Sequence, residues 1–321
     1  WAGANILQGI KDDLKAFGVV IDSYYSERSL LTRGAVEAAF DQLRQRGFLY
    51  EAEGALWFKA TAFGDEKDRV VRRSNGELTY FASDIAYHLD KFQRGYNRLI
   101  DIWGADHHGY VPRLKAAVAG LDRPAEDLNM VLVQMVNLLR NGEPVAMSTR
   151  AGEFVTLAEV VEEVGADSAR FLFLTRRYEA QLDFDLEVAK SKSMDNPVFY
   201  VQYAHTRVKS VLRKAEQEGV ALPDPAGVEL ERLALEEEVD LARRLAEFPA
   251  LAEAAARNLE PHRVTYYLHE LAGAFHSYYN AHRVLVDEPA LAAARLVLIQ
   301  AVGQVLAGGL ALLGVSAPEA M

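Results

Sequence analysis

Apolar positions along the chain follow two different periods. Beyond Ser191 they return every three or four residues, through 198–214, 231–245, 264–282 and 291–313. That is the spacing of helices burying one face, so the pattern predicts a helical bundle. Leu222-Pro-Asp-Pro-Ala-Gly227 is the clear loop within it. Between Glu77 and Ser191 the pattern changes. Short apolar runs at 97–103 and 130–135 alternate with helical stretches at 83–93 and 111–120, the alternation that builds a parallel sheet. Ser83 is a good N-cap for the first of these helices, and Gly104 ends the first strand. Thr156 and Glu159 have capping-box spacing, predicting a helix over 156–164, with a further helix from Gly165 to Arg177.

Residues 1–75 mix both periods. Helical patterns at 6–17 and 33–46 surround β-rich pieces at 18–22 and 56–58. A charged loop or hairpin is expected over 63–73, closed by a turn at Ser74-Asn75-Gly76. Three regions follow: a mixed part over 1–75, a parallel-sheet part over 76–190 and a helical part over 191–321.

Composition narrows the classes. Half of the 321 residues are hydrophobic and a quarter charged, an ordinary globular balance that sets aside disordered, collagen-like and coiled-coil chains. Against 35 Lys+Arg stand 46 Asp+Glu, a net charge of −11. Nucleic-acid binding would therefore need a local basic patch. There is no cysteine, which excludes disulfide scaffolds, Cys-ligated zinc, Fe–S clusters and thiol nucleophiles. The longest apolar stretch, 291–315, is broken by Arg295, Gln300, Gln304 and Gly308-Gly309, so it reads as a core helix and not a membrane span. No signal-peptide pattern follows Trp1, and nothing argues for export.

Candidate chemistry concentrates in three segments. No G-x-x-x-x-G-K-[ST], G-x-G-x-x-G or H-E-x-x-H pattern is present. His262, His269 and His276 are spaced by seven, about 10.5 Å apart along a helix, too far for one metal ion. The first segment is Leu99-Ile-Asp-Ile-Trp-Gly-Ala-Asp-His-His-Gly109, a strand running through a glycine turn into an acid and two imidazoles. Ligands bind at the carboxyl ends of strands in open α/β sheets. Asp106, His107 and His108 fit two chemistries there: divalent metal binding, as in phosphoesterases with an Asp-His-His motif, or a cradle for a nucleoside. A structural helix cap is the plain alternative. The second segment places Tyr80, Asp84 and His88 four apart, on one helical face, where an acid under a tyrosine suits a cationic ligand. The third, residues 144–157, is a small-residue polar turn with one arginine, suited to closing over phosphates.

In chain order the pieces read Tyr80-x-x-x-Asp84-x-x-x-His88, Trp103-Gly-Ala-Asp-His-His-Gly-Tyr110 and Met147-Ser-Thr-Arg-Ala-Gly-Glu-Phe-Val-Thr-Leu157. This order resembles the arginyl-tRNA synthetases, a class I synthetase family. The likeness continues through Asp167-Ser-Ala-Arg-Phe171, Asn196-Pro-Val-Phe-Tyr-Val-Gln-Tyr-Ala-His-Thr-Arg207 and the terminal Leu313-Gly-Val-Ser-Ala-Pro-Glu-Ala-Met321. Two departures stand out. No H-x-G-H motif occurs, so the chain reads as the C-terminal part of such an enzyme, beginning inside the insertion that splits the Rossmann fold. The family's K-M-S-K-S loop appears as Ala146-Met147-Ser148-Thr149-Arg150, with both lysines replaced.

The resemblance implies the second half of a Rossmann-type parallel-sheet catalytic domain, followed by a helical-bundle anticodon-binding domain. It implies ATP-dependent formation of arginyl-adenylate and transfer of arginine to its tRNA, with Mg²⁺ accompanying ATP, in a cytoplasmic monomer. Tyr80, Asp84 and His88 would hold arginine, Asp84 pairing with the guanidinium. Gly104, Asp106, His107 and His108 would border ATP, and Met147, Ser148, Thr149 and Arg150 would form the loop over it. Tyr200, Gln202, Tyr203, His205, Arg207, Tyr279 and Met321 would contact tRNA. From residue 191 onward 12 Lys+Arg face 17 Asp+Glu, a net of −5, so binding would centre on Arg207, Lys209, Arg213 and Lys214. Two other function classes stand beside this one: a metal-dependent phosphoesterase, and a noncatalytic RNA-binding module.

Overall fold

The computed structural model describes residues 2–145 and 155–321. The chain opens with helices α1 (Ala2–Ala16), α2 (Arg28–Thr32) and α3 (Ala35–Gln45). Strands β1 (Leu49–Ala52), β2 (Ala55–Phe58) and β3 (Arg69–Arg72) lead into helix α4 (Tyr80–Gln93). Strand β4 (Leu99–Gly104), helix α5 (Val111–Gly120) and strand β5 (Leu128–Val133) follow, then β6 (Val136–Arg140) and β7 (Glu143–Pro144). After the undescribed segment come α6 (Leu157–Val164), α7 (Ala166–Phe173), β8 (Leu182–Asp185) and α8 (Leu186–Lys190). Four long helices complete the chain: α9 (Pro197–Gln217), α10 (Glu236–Asn258), α11 (His262–Ala281) and α12 (Pro289–Leu312).

These elements gather into two units. One comprises Ile21–Met135 with Tyr178–Ala180. Strands β1, β2 and β3 form an antiparallel sheet, its first turn made by Glu53 and Gly54 with φ of 53° and 73°, the left-handed pair that a two-residue hairpin requires. Strands β4 and β5 pair in parallel, Leu99 opposite Leu128 through to Gly104 opposite Val133. Phe40, Phe58, Ile85, Leu114 and Leu128 fill the core between them. Gly120 closes α5 against this core: a Cβ there would lie 2.9 Å from the Phe58 ring.

The other unit comprises the stretch up to Val20, Val136–Arg177 and Gln181–Met321. Strand β6 pairs in parallel with β8 and antiparallel with β7. Leu138, Val160, Phe184 and Leu186 pack there with Phe17 and Phe173. Helices α9 to α12 enclose a larger core around Leu268, Phe275, Ile299, Val302 and Leu306. Within it the fully buried Glu238 accepts from Arg295 Nε at 2.7 Å, from the Tyr278 hydroxyl at 3.1 Å and from the Leu235 amide at 3.1 Å. Arg170 on α7 donates to the carbonyls of Phe17 and Leu313, and Gly314, at φ 66°, leaves no room for a Cβ beside that guanidinium.

Several boundaries differ from the sequence pattern. Helix α4 starts at Tyr80 behind Thr79, one turn before Ser83, because the extended Thr79 already breaks the chain from β3. No strand forms over 18–22, and α7 stops at Phe173. Strands β6 and β8 were not predicted. Helix α10 runs well past residue 245 through Pro249. Helix α12 has the length and composition of a membrane span, yet half of its most apolar window is buried, and Leu296, Ile299, Val302 and Leu306 lie in the bundle core as the core-helix reading expects.

Candidate active site and RNA-binding surface

The carboxyl end of β4 and the first turns of α4 meet at Asp84. After Gly104 the chain makes a 3₁₀ turn, Ala105–Tyr110, that delivers Tyr110 over α4. The Tyr110 hydroxyl donates to Asp84 Oδ2 at 2.6 Å, and Trp103 packs edge-on against the Tyr110 ring. Asp84 also lines a cavity of about 370 Å³ shared with Ser23, Tyr24, Tyr25, Glu27 and Tyr87. Burial raises the Asp84 pKa; the Tyr110 bond and the His88 charge pull it back, while Glu27 and Asp101 push it further up. Two carboxylates on one small cavity, one of them desolvated, make a site that gains from a cationic ligand.

The four-residue spacing of Tyr80, Asp84 and His88 does not bring all three into that cavity. Tyr80 is 85% exposed at the start of α4. His88, 2% exposed, turns inward. Its Nδ1 meets the Asp84 carbonyl at 2.7 Å and its Nε2 meets Asp101 Oδ2 at 2.9 Å. Lys91 Nζ donates to the other Asp101 oxygen at 2.8 Å. The cause is Asp101 itself: a carboxylate on the inward face of a strand needs charged partners from the helix above. Burial alone would raise the Asp101 pKa, but His88 and then Lys91 outweigh it and leave it lowered. The signal for this network was an acid inside the apolar run Leu99-Ile-Asp-Ile, which sequence reasoning weighed only for metal binding and did not connect to His88 or Lys91.

Gly104, Asp106, His107 and His108 stand together on the exposed turn. A Cβ on Gly104 would lie 2.5 Å from Oδ1 of the exposed Asp106, so a larger residue there would displace that carboxylate. His107 Nδ1 sits 3.1 Å from Asp106 Oδ1, and the His107 ring packs edge-on against Trp103. His108 Nδ1 sits 3.3 Å from the Ala105 carbonyl. Among the described residues, no three His, Asp or Glu side chains are gathered as a metal site, which leaves the phosphoesterase alternative without its ligand cluster. Met147, Ser148, Thr149 and Arg150 lie outside the described residues.

On the helical part the anticipated contact residues divide into two sets. Arg207 on α9 is held between two rings, 4.6 Å from the Tyr203 centroid and 4.9 Å from that of Tyr279 on α11. Its Nη1 also reaches His276 Nδ1 at 3.2 Å and donates to Asn280 Oδ1 at 3.3 Å. His276 Nε2 faces the Tyr200 carbonyl, so it carries the proton and Nδ1 accepts. Burial lowers the His276 pKa, the Tyr200 bond opposes this, and Arg207 lowers it again. Met321 is exposed at the chain end. Gln202 and His205, by contrast, are buried and fasten the C-terminal segment. Gln202 Nε2 donates to Asp167 and to the Ser316 carbonyl, both at 2.9 Å, and His205 Nδ1 lies 2.9 Å from the Pro318 carbonyl. Lys209 and Arg213 hold Glu319. Lys214, 3.7 Å from Glu218, lines a cavity of about 500 Å³ with Tyr279, His282 and Arg283. Sequence reasoning missed His276 and Asn280, which complete the Arg207 site.

Parallel strands ending in a glycine turn over an acidic pocket, followed by a helical domain with an aromatic–cationic face, define a protein of the class I aminoacyl-tRNA synthetase type. The family description "tRNA synthetases class I (R), catalytic domain" matches residues 9–192, and "DALR anticodon binding domain" matches residues 201–321. The chain belongs to the arginyl-tRNA synthetase family. It is 58% identical over its whole length to an arginine–tRNA ligase of Syntrophotalea carbinolica, of which it covers 58%. Among solved structures, an arginyl-tRNA synthetase from Campylobacter jejuni superposes on 100% of this chain and 69% of its own, with a TM-score of 0.90 and 37% identity. That of Thermus thermophilus gives a TM-score of 0.79 at 25% identity, covering 97% of this chain and 62% of its own. The chain thus spans somewhat over half the length of the curated relatives it matches.

Proposed function

We propose that this chain carries the arginine-recognition and tRNA-recognition parts of an arginine–tRNA ligase, which activates arginine with ATP and transfers it to tRNA. The observation that carries the reading is Asp84: a desolvated carboxylate, anchored by Tyr110 on one oxygen, beside Glu27 on a cavity of about 370 Å³. Such a site suits a guanidinium, whose fork of donors can satisfy carboxylates from two sides. Tyr80 lies at the head of the same helix, and His88 acts from behind by fixing the helix to Asp101.

Gly104, Asp106, His107 and His108 are assigned to ATP, whose phosphates would bring Mg²⁺. Met147, Ser148, Thr149 and Arg150 keep the ATP contact implied by the family pattern. For tRNA the assignment narrows to Tyr200, Tyr203, Arg207, Tyr279 and Met321. Gln202 and His205 support that surface through the C-terminal segment. The full activity belongs to a polypeptide of the relatives' length. Exposure of Ile100 and Ile102 on β4 supports this, because parallel strands are ordinarily covered on both faces. A cytoplasmic monomer is proposed with it.

The test is charging of total tRNA by the complete gene product, with each amino acid in turn. Attachment of arginine alone is the expected result; attachment of another amino acid in its place would overturn the reading.

A further inference from the structure

The aromatic face of the bundle extends past the Arg207 site. Tyr200 lies between two imidazoles, stacked on His269 at 4.8 Å and edge-on to His276 at 4.7 Å. Tyr203 follows at 5.9 Å from His276, and Arg207 then sits between Tyr203 and Tyr279. At the opposite end of this row is a separate cavity of about 350 Å³. Thr175 and Arg176 line it from the end of α7, Pro197 from the start of α9, and Thr265, Tyr266 and His269 from α11.

Three properties of this cavity point to one kind of ligand. Arg176 is exposed and, among the described residues, makes no hydrogen bond or ion pair, whereas the neighbouring Arg177 is paired with Glu260. No carboxylate lines the cavity, although the chain as a whole is strongly acidic. Tyr266, 49% exposed, offers a ring to solvent next to the exposed His269 imidazole. A free guanidinium beside exposed rings, without a competing anion, is what an unstacked nucleotide requires.

We propose that this cavity is a second RNA subsite, taking an unpaired nucleotide that flanks those held at Arg207. Its base lies against Tyr266 and His269, and its phosphate pairs with Arg176. From Tyr266 to Tyr279 is thirteen residues of α11, about 20 Å, and the rings of Tyr200, His276 and Tyr203 line the way between the two sites. The inference rests on the RNA-binding reading of the helical part proposed above.

The experiment measures binding of arginine-accepting tRNA to the 321-residue chain over a range of salt concentrations, with Arg176→Ala, Tyr266→Leu and Arg207→Ala compared. Circular dichroism confirms folding; both cavity side chains are exposed, so their removal leaves the core intact. Arg176→Ala is expected to weaken binding several-fold and to reduce the log–log salt slope by about 0.7, the value for one single-strand phosphate. Tyr266→Leu is expected to weaken binding roughly tenfold with the slope unchanged, because stacking carries no charge. If Arg207→Ala weakens binding while both cavity variants match the parent in affinity and slope, the second subsite is refuted and the RNA-binding reading stands. If Arg207→Ala also leaves binding unchanged, or the parent does not bind, both fail together.

Discussion

Asp84 concentrates the arginine-binding reading in a single carboxylate. One of its oxygens is held by Tyr110, and burial raises its pKa. Replacing it by asparagine keeps the shape and removes the charge. Losing one partner of a desolvated charged pair costs about 2–5 kcal/mol, so Asp84→Asn in the complete enzyme should raise the arginine KM at least tenfold. An unchanged KM would remove Asp84 from the site. His276 gives a second prediction, on stability. Its pKa is lowered in the folded state, mainly by burial, so the folded protein binds fewer protons there than the unfolded chain does. The stabilisation is therefore complete above the ordinary histidine value near 6.5 and is lost as pH falls below it. Protonation of Nδ1 would also set a charge against Arg207. Thermal melts between pH 8 and 5 should show stability declining on the acid side, with a shallower decline in His276→Gln; equal declines would show that another group sets the dependence.

Elements differed in how far their sequence declared them. Helix α5 was legible as 111–120 because its apolar spacing is regular, and the capping box of Thr156 and Glu159 forms as its spacing predicts. Strand β8 was not, since Leu182-Asp-Phe-Asp alternates over only four residues and owes its conformation to pairing with β6. Helix α10 outran its predicted end because its alanine-rich second half has little apolar periodicity to read. Sidedness was harder still: helical spacing on α9 could not reveal that the C-terminal segment covers Gln202 and His205. The most consequential tertiary feature at this scale is the buried contact of α10 with α12. Removing Arg295 would leave Glu238 charged and buried, with the Tyr278 hydroxyl and the Leu235 amide as its remaining donors among the described residues. Breaking a buried pair in this way costs about 3–5 kcal/mol. Arg295→Met should accordingly lower the melting temperature by several degrees, and adding Glu238→Gln should restore part of the loss. A single variant that melts with the parent would mean that the pair contributes nothing to the bundle.

At the scale of the whole molecule the question is how a chain of net charge −11 could hold the RNA proposed as its partner. The answer drawn from the structure is local. Arg207 on the helical part and Arg176, just beyond α7, present cations beside aromatic rings, whereas Lys209 and Arg213, equally basic in sequence, are engaged by Glu319. The anticodon-domain assignment is tested most directly by the affinity of the 321-residue chain for an arginine-accepting tRNA, compared with the same tRNA carrying a substituted anticodon. The account expects tighter binding of the unaltered tRNA, weakening as salt increases, and loss of the difference in Arg207→Ala. Equal affinity for the two tRNAs, or a preference that survives Arg207→Ala, would contradict it.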